Sequence, residues 1–303
     1  MRIRTAGKIC DGLWFLGREE SCVYLLEGER EAMILSGGMS YIVPDILEQL
    51  RRWGIDEERI TKLLILHSHF DHVGIVPFFK RRNPNLEIYA SARGWEILGM
   101  PKAIATINEF SRDVARRLNK EDVFSRYDLE WRDDVKGMTV GEGDRLELGG
   151  LEVHILETPG HSSCSITAYV PRLKALFASD GGGIPFKETI IPSGNSNFTK
   201  YQQSLEKLKD LDVDFVCADH YGYVTGGEAR GFIRRGIELA ARLRSRIEEV
   251  YLQYRDVSKA AKTLVEEFYR VNPDYFLSPS IYEGVYGQMV RHIAQGIEQQ
   301  EAS

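Results

Sequence analysis

The segment His67-Ser68-His69-Phe70-Asp71-His72 gathers three of the chain's seven histidines and one carboxylate into six positions. It follows directly on the apolar run Leu63-Leu64-Ile65-Leu66. With that run as a buried strand, His67 and His69 leave its end two residues apart in extended chain, their side chains on one side. Asp71 and His72 then fall at the mouth of a following helix, where the backbone can turn them toward the same space. Neutral imidazole and carboxylate are good ligands for zinc, manganese or iron. A solvated polar loop accounts for one histidine. Three with an aspartate in six residues point to metal chemistry.

Three later strand ends each deliver a further candidate. Thr158-Pro159-Gly160-His161 follows the strand ending at Leu156, Ser179-Asp180-Gly181 follows Ala175-Leu176-Phe177, and Asp219-His220-Tyr221-Gly222 follows Phe215-Val216-Cys217. In each, a strand fixes the ligand's position and a nearby glycine lets the chain turn sharply beside it. His67, His69, His72, His161 and His220 with Asp71 and Asp180 make five histidines and two aspartates, enough for two adjacent ions. His154 reads instead as a polar-face strand residue and His292 as a solvated helix residue. Tyr221, next to a ligand, is a candidate donor to a developing oxyanion, or a packing aromatic.

The elements that must position these residues are strands with interspersed helices. Leu13–Leu16, Val23–Leu26 and Ala32–Leu35 read as strands, Val43 to Trp53 as a helix, and residues 62 to 66 as a fully buried strand. A short helix is predicted from Val73 to Lys80 and a strand over Leu86–Ala90. Strands follow at 138–140, 145–157, 164–170, 174–178 and 215–217, with a helix over 199–210. Residues 93–136 interrupt them with a charged, helix-compatible insertion carrying Phe110, Phe124, Tyr127 and Trp131. After Gly227, apolar residues step by three or four through three amphipathic helices, the last with Ser278 as its cap and Pro279 just inside.

Composition narrows the function. The chain has 303 residues, 43% of them hydrophobic and 28% charged, with a net charge of −6. It has no basic run of the kind that tracks phosphates, which argues against nucleic acid as a partner. Nothing approaches the ~18 apolar residues of a membrane span. The four cysteines, 10, 22, 164 and 217, show no Cys-x-x-Cys spacing, so a reduced cytoplasmic location is expected.

In order and context, His67-x-His69-x-Asp71-His72, His161, Asp180 and His220 resemble the ligand pattern of the metallo-β-lactamase superfamily. The resemblance implies a four-layer αββα sandwich over residues 1–225, with the site at the sheet edges and residues 93–136 as a helical insertion. It implies that His67, His69 and His161 hold one metal and Asp71, His72 and His220 the other, with Asp180 bridging. An intact His69 resembles the hydrolytic branch rather than the flavodiiron oxidoreductases. Two positions depart from the pattern: Ser179 and Asp219 stand where glycine is usual. Neither removes a ligand, but either could alter the surroundings of one.

The segments "LLILHSHFDHVGIVPFF", "ILSGGMS" and "DYFLSPSIYEGVYG" further resemble the quinolone-signalling effector thioesterase subfamily, whose C-terminal helices close over the metal site. This implies that residues 226–303 form a helical cap and that Phe276 and Leu277 line a substrate pocket. The expectation is a dinuclear metallohydrolase acting on a small-molecule thioester, ester or lactone. Two divalent ions, zinc first and iron or manganese otherwise, about 3.5–4 Å apart, would supply a bridging hydroxide at neutral pH. Asp71 is expected first as a ligand and also as an orienter of the nucleophile. The alternatives are a regulatory protein-binding effector with incidental hydrolysis, and a phosphodiesterase. A homodimer is among the expected assemblies. The insertion, with Phe110, Phe124, Tyr127 and Trp131 available to pack, and the C-terminal helices are expected to meet over the metal site as a lid.

Overall fold

The computed structural model describes residues 1–301. Two seven-stranded sheets face each other. The first runs, in spatial order, Gly7–Cys10, Leu13–Arg18, Ser21–Glu27, Ala32–Leu35, Ile60–Leu64, Glu87–Ala90 and Met138–Thr139. The second runs Arg2–Ile3, Tyr223–Thr225, Phe215–Cys217, Ala175–Phe177, Ile166–Val170, Glu152–Glu157 and Arg145–Glu147.

The apolar run that precedes the histidine motif shows why the layers stack. Leu64 and Leu66 point into the core between the sheets, beside Tyr24, Phe177 and Ile155. Leu63 and Ile65 point the other way, into the core under the helices Val43–Arg52, Val76–Arg82 and Pro101–Arg117. Both faces are buried, so the strand is apolar throughout instead of alternating. In the second sheet Ala175 and Phe177 face the first sheet, while Leu176 faces the helices Phe198–Leu208 and Gly227–Tyr254. The result is the αββα sandwich.

Strand direction brings the candidate ligands to one edge. Ile60–Leu64 is parallel to both its neighbours. In the second sheet Ala175–Phe177 and Phe215–Cys217 are parallel, and Glu152–Glu157 shares their direction across the antiparallel strand Ile166–Val170. The loops bearing Asp180, His220 and His161 therefore leave on the same side. The helix Phe198–Leu208 packs so close to the His161 loop that a Cβ at Gly160, whose φ is +137°, would lie 2.2 Å from the backbone nitrogen of Tyr201.

Most predicted element boundaries fall within a few residues of expectation, and the differences are informative. Residues 145–157 are two strands, not one, broken by the turn through Gly149 and Gly150. Arg2–Ile3 leaves the first sheet and pairs with Tyr223–Thr225 of the second. A hairpin, Ile184–Phe186 with Thr189–Ile191, follows Asp180 where the sequence pattern marks no strands. The motif helix begins only at Val76, because Phe70–His72 form a 3-10 turn of their own.

The C-terminal helices are Gly227–Tyr254, Val257–Val271 and Pro279–Glu301. Asp256 caps the second by accepting from the Lys259 N–H at 2.8 Å. The Ser278 hydroxyl accepts from the Ile281 N–H at 3.4 Å at the start of the third. Their apolar stripes bury Ile247, Val250, Leu264 and Ile293 against one another and against the outer face of the second sheet. No helix among the described residues is long and apolar enough to cross a membrane.

Candidate metal centre

The structure brings all seven candidate ligands together. Nitrogens of His67, His69 and His161 lie within 4.8 Å of one another, and a second trio, Asp71, His72 and His220, does the same. His69 Nδ1 is 3.2 Å from His67 Nε2 and 3.0 Å from His161 Nε2. Asp71 Oδ2 is 3.5 Å from His72 Nε2 and 3.6 Å from His220 Nε2. Asp180 reaches both trios: Oδ2 is 3.5 Å from His72 Nε2 and 3.6 Å from His161 Nε2, and Oδ1 is 3.7 Å from His220 Nε2.

The rings are aimed from behind. His161 Nδ1–H donates to the Ser193 carbonyl at 2.9 Å, His220 Nδ1–H to the Glu20 carbonyl at 2.7 Å, and His72 Nδ1–H to Asp219 at 2.8 Å. Each bond fixes the tautomer that leaves Nε2 bare and facing the centre. Burial holds the His67 and His161 imidazoles below their ordinary pKa, and His69 down to about 3. At neutral pH these rings are uncharged, the form that binds a metal. Burial also opposes charge on His72, but Asp71 and Asp180 outweigh it and raise its pKa.

A metal pair fits this donor set. His72 Nε2, His220 Nε2 and Asp180 Oδ1 are buried and make no hydrogen bond within the protein. Buried polar atoms without partners are rare and call for an ion or water. Here all three point at one spot, from residues that offer imidazole nitrogen and carboxylate oxygen.

A cavity of about 870 Å³ opens above the cluster, with His69, Asp71, His161 and Asp180 in its floor. Ser162, Ser163, Ser193, Asn195 and Ser196 form a polar wall beside His161, and Met100, Ile107 and Phe110 of the insertion form an apolar side. Phe276, Leu277 and Ile281 close it from the C-terminal region. Phe276 packs against the cores of both helical layers and stacks on the His220 ring, centroids 4.4 Å apart.

One expected pocket residue sits elsewhere, and the insertion aromatics divide between core and cavity. Tyr221 does not line the cavity: in a left-handed turn, φ +63°, it lies behind Phe276 and its hydroxyl accepts the Phe276 N–H at 3.2 Å. It docks the C-terminal segment instead of facing a substrate. Trp131 packs as expected: it is 1% exposed in the core under the insertion and donates its indole N–H to the Leu98 carbonyl at 3.0 Å. Phe124 and Tyr127 pack against the same core, and Phe110 is the insertion aromatic that lines the cavity. His154 pairs with Glu152 at 2.9 Å on a partly exposed strand, and His292 is half-buried on the last helix.

The backbone acceptors Ser193 and Glu20 are invisible to sequence reasoning, because a carbonyl carries no residue signature. The serine wall leaves one faint signal, the polar, Gly-containing stretch Ser193-Gly194-Asn195-Ser196 after a strand.

A two-sheet αββα sandwich with an all-histidine trio and an Asp/His trio at one edge defines a metal-binding class of fold. Residues 16–220 match the Metallo-beta-lactamase superfamily, and the chain belongs to it. It is 24% identical over 217 residues to a metallo-beta-lactamase fold-containing protein of Sulfurisphaera tokodaii, covering 68% of this chain and 75% of that one. It is 25% identical over 217 residues to the hydroxyacylglutathione hydrolase GloC of Haemophilus influenzae, covering 70% and 90%. The crystal structure of a metallo-beta-lactamase family protein from Thermus thermophilus superposes with a TM-score of 0.68 over 97% of this chain and 95% of that chain, at 18% identity.

Proposed function

We propose that the protein hydrolyses the acyl bond of a small or moderate-sized thioester, ester or lactone. The observation that carries this reading is the His/Asp cluster forming the floor of a cavity whose other walls are largely apolar. Two divalent ions, zinc first, held by His67, His69 and His161 and by Asp71, His72 and His220 with Asp180 between them, would supply Lewis acidity and hydroxide at neutral pH. The chain's own residues do the rest. Met100, Ile107, Phe110, Phe276 and Leu277 take an acyl chain or aromatic ring and exclude water. The serine wall offers hydroxyls to the polar end of the substrate. Asp71, in the cavity floor, is placed to orient a nucleophile as well as to ligate.

Two likenesses support the acyl assignment. One is the match to a hydroxyacylglutathione hydrolase, named for an acylated thiol compound. The other is the finer resemblance to the quinolone-signalling effector thioesterases, which the three C-terminal helices and the Phe276–His220 stack support. Residues 226–301 then act as a cap on a catalytic unit of residues 1–225. The acidic balance of the chain favours an acyl substrate over a nucleic acid.

The test couples metal analysis of the purified protein to a hydrolase screen spanning thioesters, esters, lactones and phosphodiesters. About two ions per chain and turnover of an acyl substrate are expected. Higher kcat/KM on a phosphodiester than on every acyl compound would overturn the reading.

A further inference from the structure

Ser179 and Asp219, each next in the chain to a candidate ligand, touch each other. The Ser179 hydroxyl donates to Asp219 Oδ2, which also accepts His72 Nδ1–H at 2.8 Å and the Ser36 hydroxyl at 2.8 Å. With its proton committed to Asp219, the Ser179 oxygen is free to accept His67 Nδ1–H, 3.2 Å away. An unbroken chain of donors and acceptors therefore runs His67, Ser179, Asp219, His72. His67 belongs to the all-histidine trio and His72 to the trio with Asp71 and His220, and the two also gather with Asp219 in a third close group.

The backbone shows that these contacts are held against a preference. Ser36 and Ser179 both adopt left-handed conformations, φ +71° and +48°, which side chains with a Cβ disfavour. Glycine would sit there without strain, and without a hydroxyl. Both serines and Asp219 are almost completely buried, at 0%, 4% and 3% exposure. Non-glycine residues in such conformations persist where the surroundings over-determine them, and they gather at functional sites. Here what holds them is a shared carboxylate oxygen.

We propose that Ser179 and Asp219 form a strut that couples the two halves of the metal centre. Ser179 and Asp219 are positioning residues: each holds one histidine in the Nδ1–H tautomer, and the bond between them fixes the two rings relative to one another. Without these two side chains His67 and His72 lack this link. The strut rests on the metal-site assignment, and zinc binding by the unaltered protein tests that assignment separately.

The experiment titrates metal-free protein with Zn²⁺ against a competing chelator and records thermal unfolding of the same metal-free samples. Ser179→Gly suits the left-handed backbone, so its metal-free unfolding temperature is expected to equal or exceed that of the unaltered protein. Its zinc affinity is expected to fall at least about tenfold, the lower end for loss of a partner behind a ligand. Ser36→Gly removes a donor from the same carboxylate but touches neither histidine, and its affinity is expected to fall less than about threefold. Asp219→Asn, which preserves side-chain volume, reads the other end of the strut and is expected to match Ser179→Gly. Unchanged zinc affinity in Ser179→Gly overturns the proposal, as does an equal loss in Ser179→Gly and Ser36→Gly. If Ser179→Gly fails to fold, wild-type affinity in Asp219→Asn overturns it instead.

Discussion

The floor and the roof of the cavity are built on opposite principles. On the floor every contact is directional: four imidazoles are aimed by hydrogen bonds at their Nδ1 atoms, and two carboxylates sit within 3.7 Å of Nε2 atoms that have no partner within the protein. On the roof, Met100, Ile107, Phe110, Phe276 and Leu277 meet the cavity through apolar surface alone. A floor of directional bonds tolerates almost no displacement, since a misplaced ligand becomes a buried, unpartnered polar group. A roof of dispersion contacts can change shape at modest cost. The floor should govern whether reaction occurs, and the roof which substrate reacts.

The largest expected effect breaks the floor. Asp180 is the residue whose oxygens approach histidines of both trios. Asp180→Ala should lose metal, measured by elemental analysis, and kcat/KM by at least about 10³-fold, the upper end for loss of a single stabilising donor. Full metal content with unchanged turnover would remove the distinction between floor and roof.

Next is a residue that belongs to neither. Trp131 supports the insertion from within and does not reach the cavity. Trp131→Ala should destabilise the fold by about 3 kcal/mol, the low end for truncating a buried aromatic, read from denaturant midpoints. The ratio of kcat/KM for long and short acyl substrates should stay constant. A changed ratio at unchanged stability would make Trp131 part of the roof after all.

The two regions also differ in how far the sequence discloses them. Each floor ligand follows an apolar strand and has a glycine within a few residues, so its neighbourhood is local in the chain, and strand period fixes its direction. His67, His69 and Asp180 are legible for that reason. The stripes on the C-terminal helices say that Ile247, Leu264 and Ile293 must be buried but not against what, because any apolar surface satisfies them. Tyr221 is the instructive exception on the floor side. It adjoins a ligand, but a left-handed turn that its residue type does not announce carries it away from the cavity. Arg2–Ile3 is illegible for a similar reason: a two-residue strand has no period to read, and its partner lies more than 200 residues away.

Phe276 is where the two regions meet, stacked on a candidate ligand while packing into both helical layers. Phe276→Ala should leave metal content intact, because His220 is held independently by the Glu20 carbonyl. It should widen the cavity directly above the floor. The ratio of kcat/KM for bulky over small acyl groups is expected to rise about tenfold, or about 1.4 kcal/mol. Metal loss in this variant would mean that the roof also holds the floor in place.

The smallest effect is expected at the more exposed of the roof's two phenylalanines. Phe110 is 40% exposed, with its ring set edge-on against Phe70, centroids 5.4 Å apart. A partly exposed ring can discriminate only between substrates long enough to reach it, and truncating it leaves no sealed void. Phe110→Ala should therefore change stability by no more than about 0.5 kcal/mol. It should lower kcat/KM two- to threefold for the longest acyl chains tested, about 0.5 kcal/mol, and leave short ones unaffected. A series of acyl lengths run on Phe110→Ala and Phe276→Ala would then show two thresholds, the Phe276 effect beginning at shorter chains than the Phe110 effect. Coincident thresholds would mean that substrates do not run along the roof from floor to mouth, and that the apolar side presented by the insertion serves packing alone.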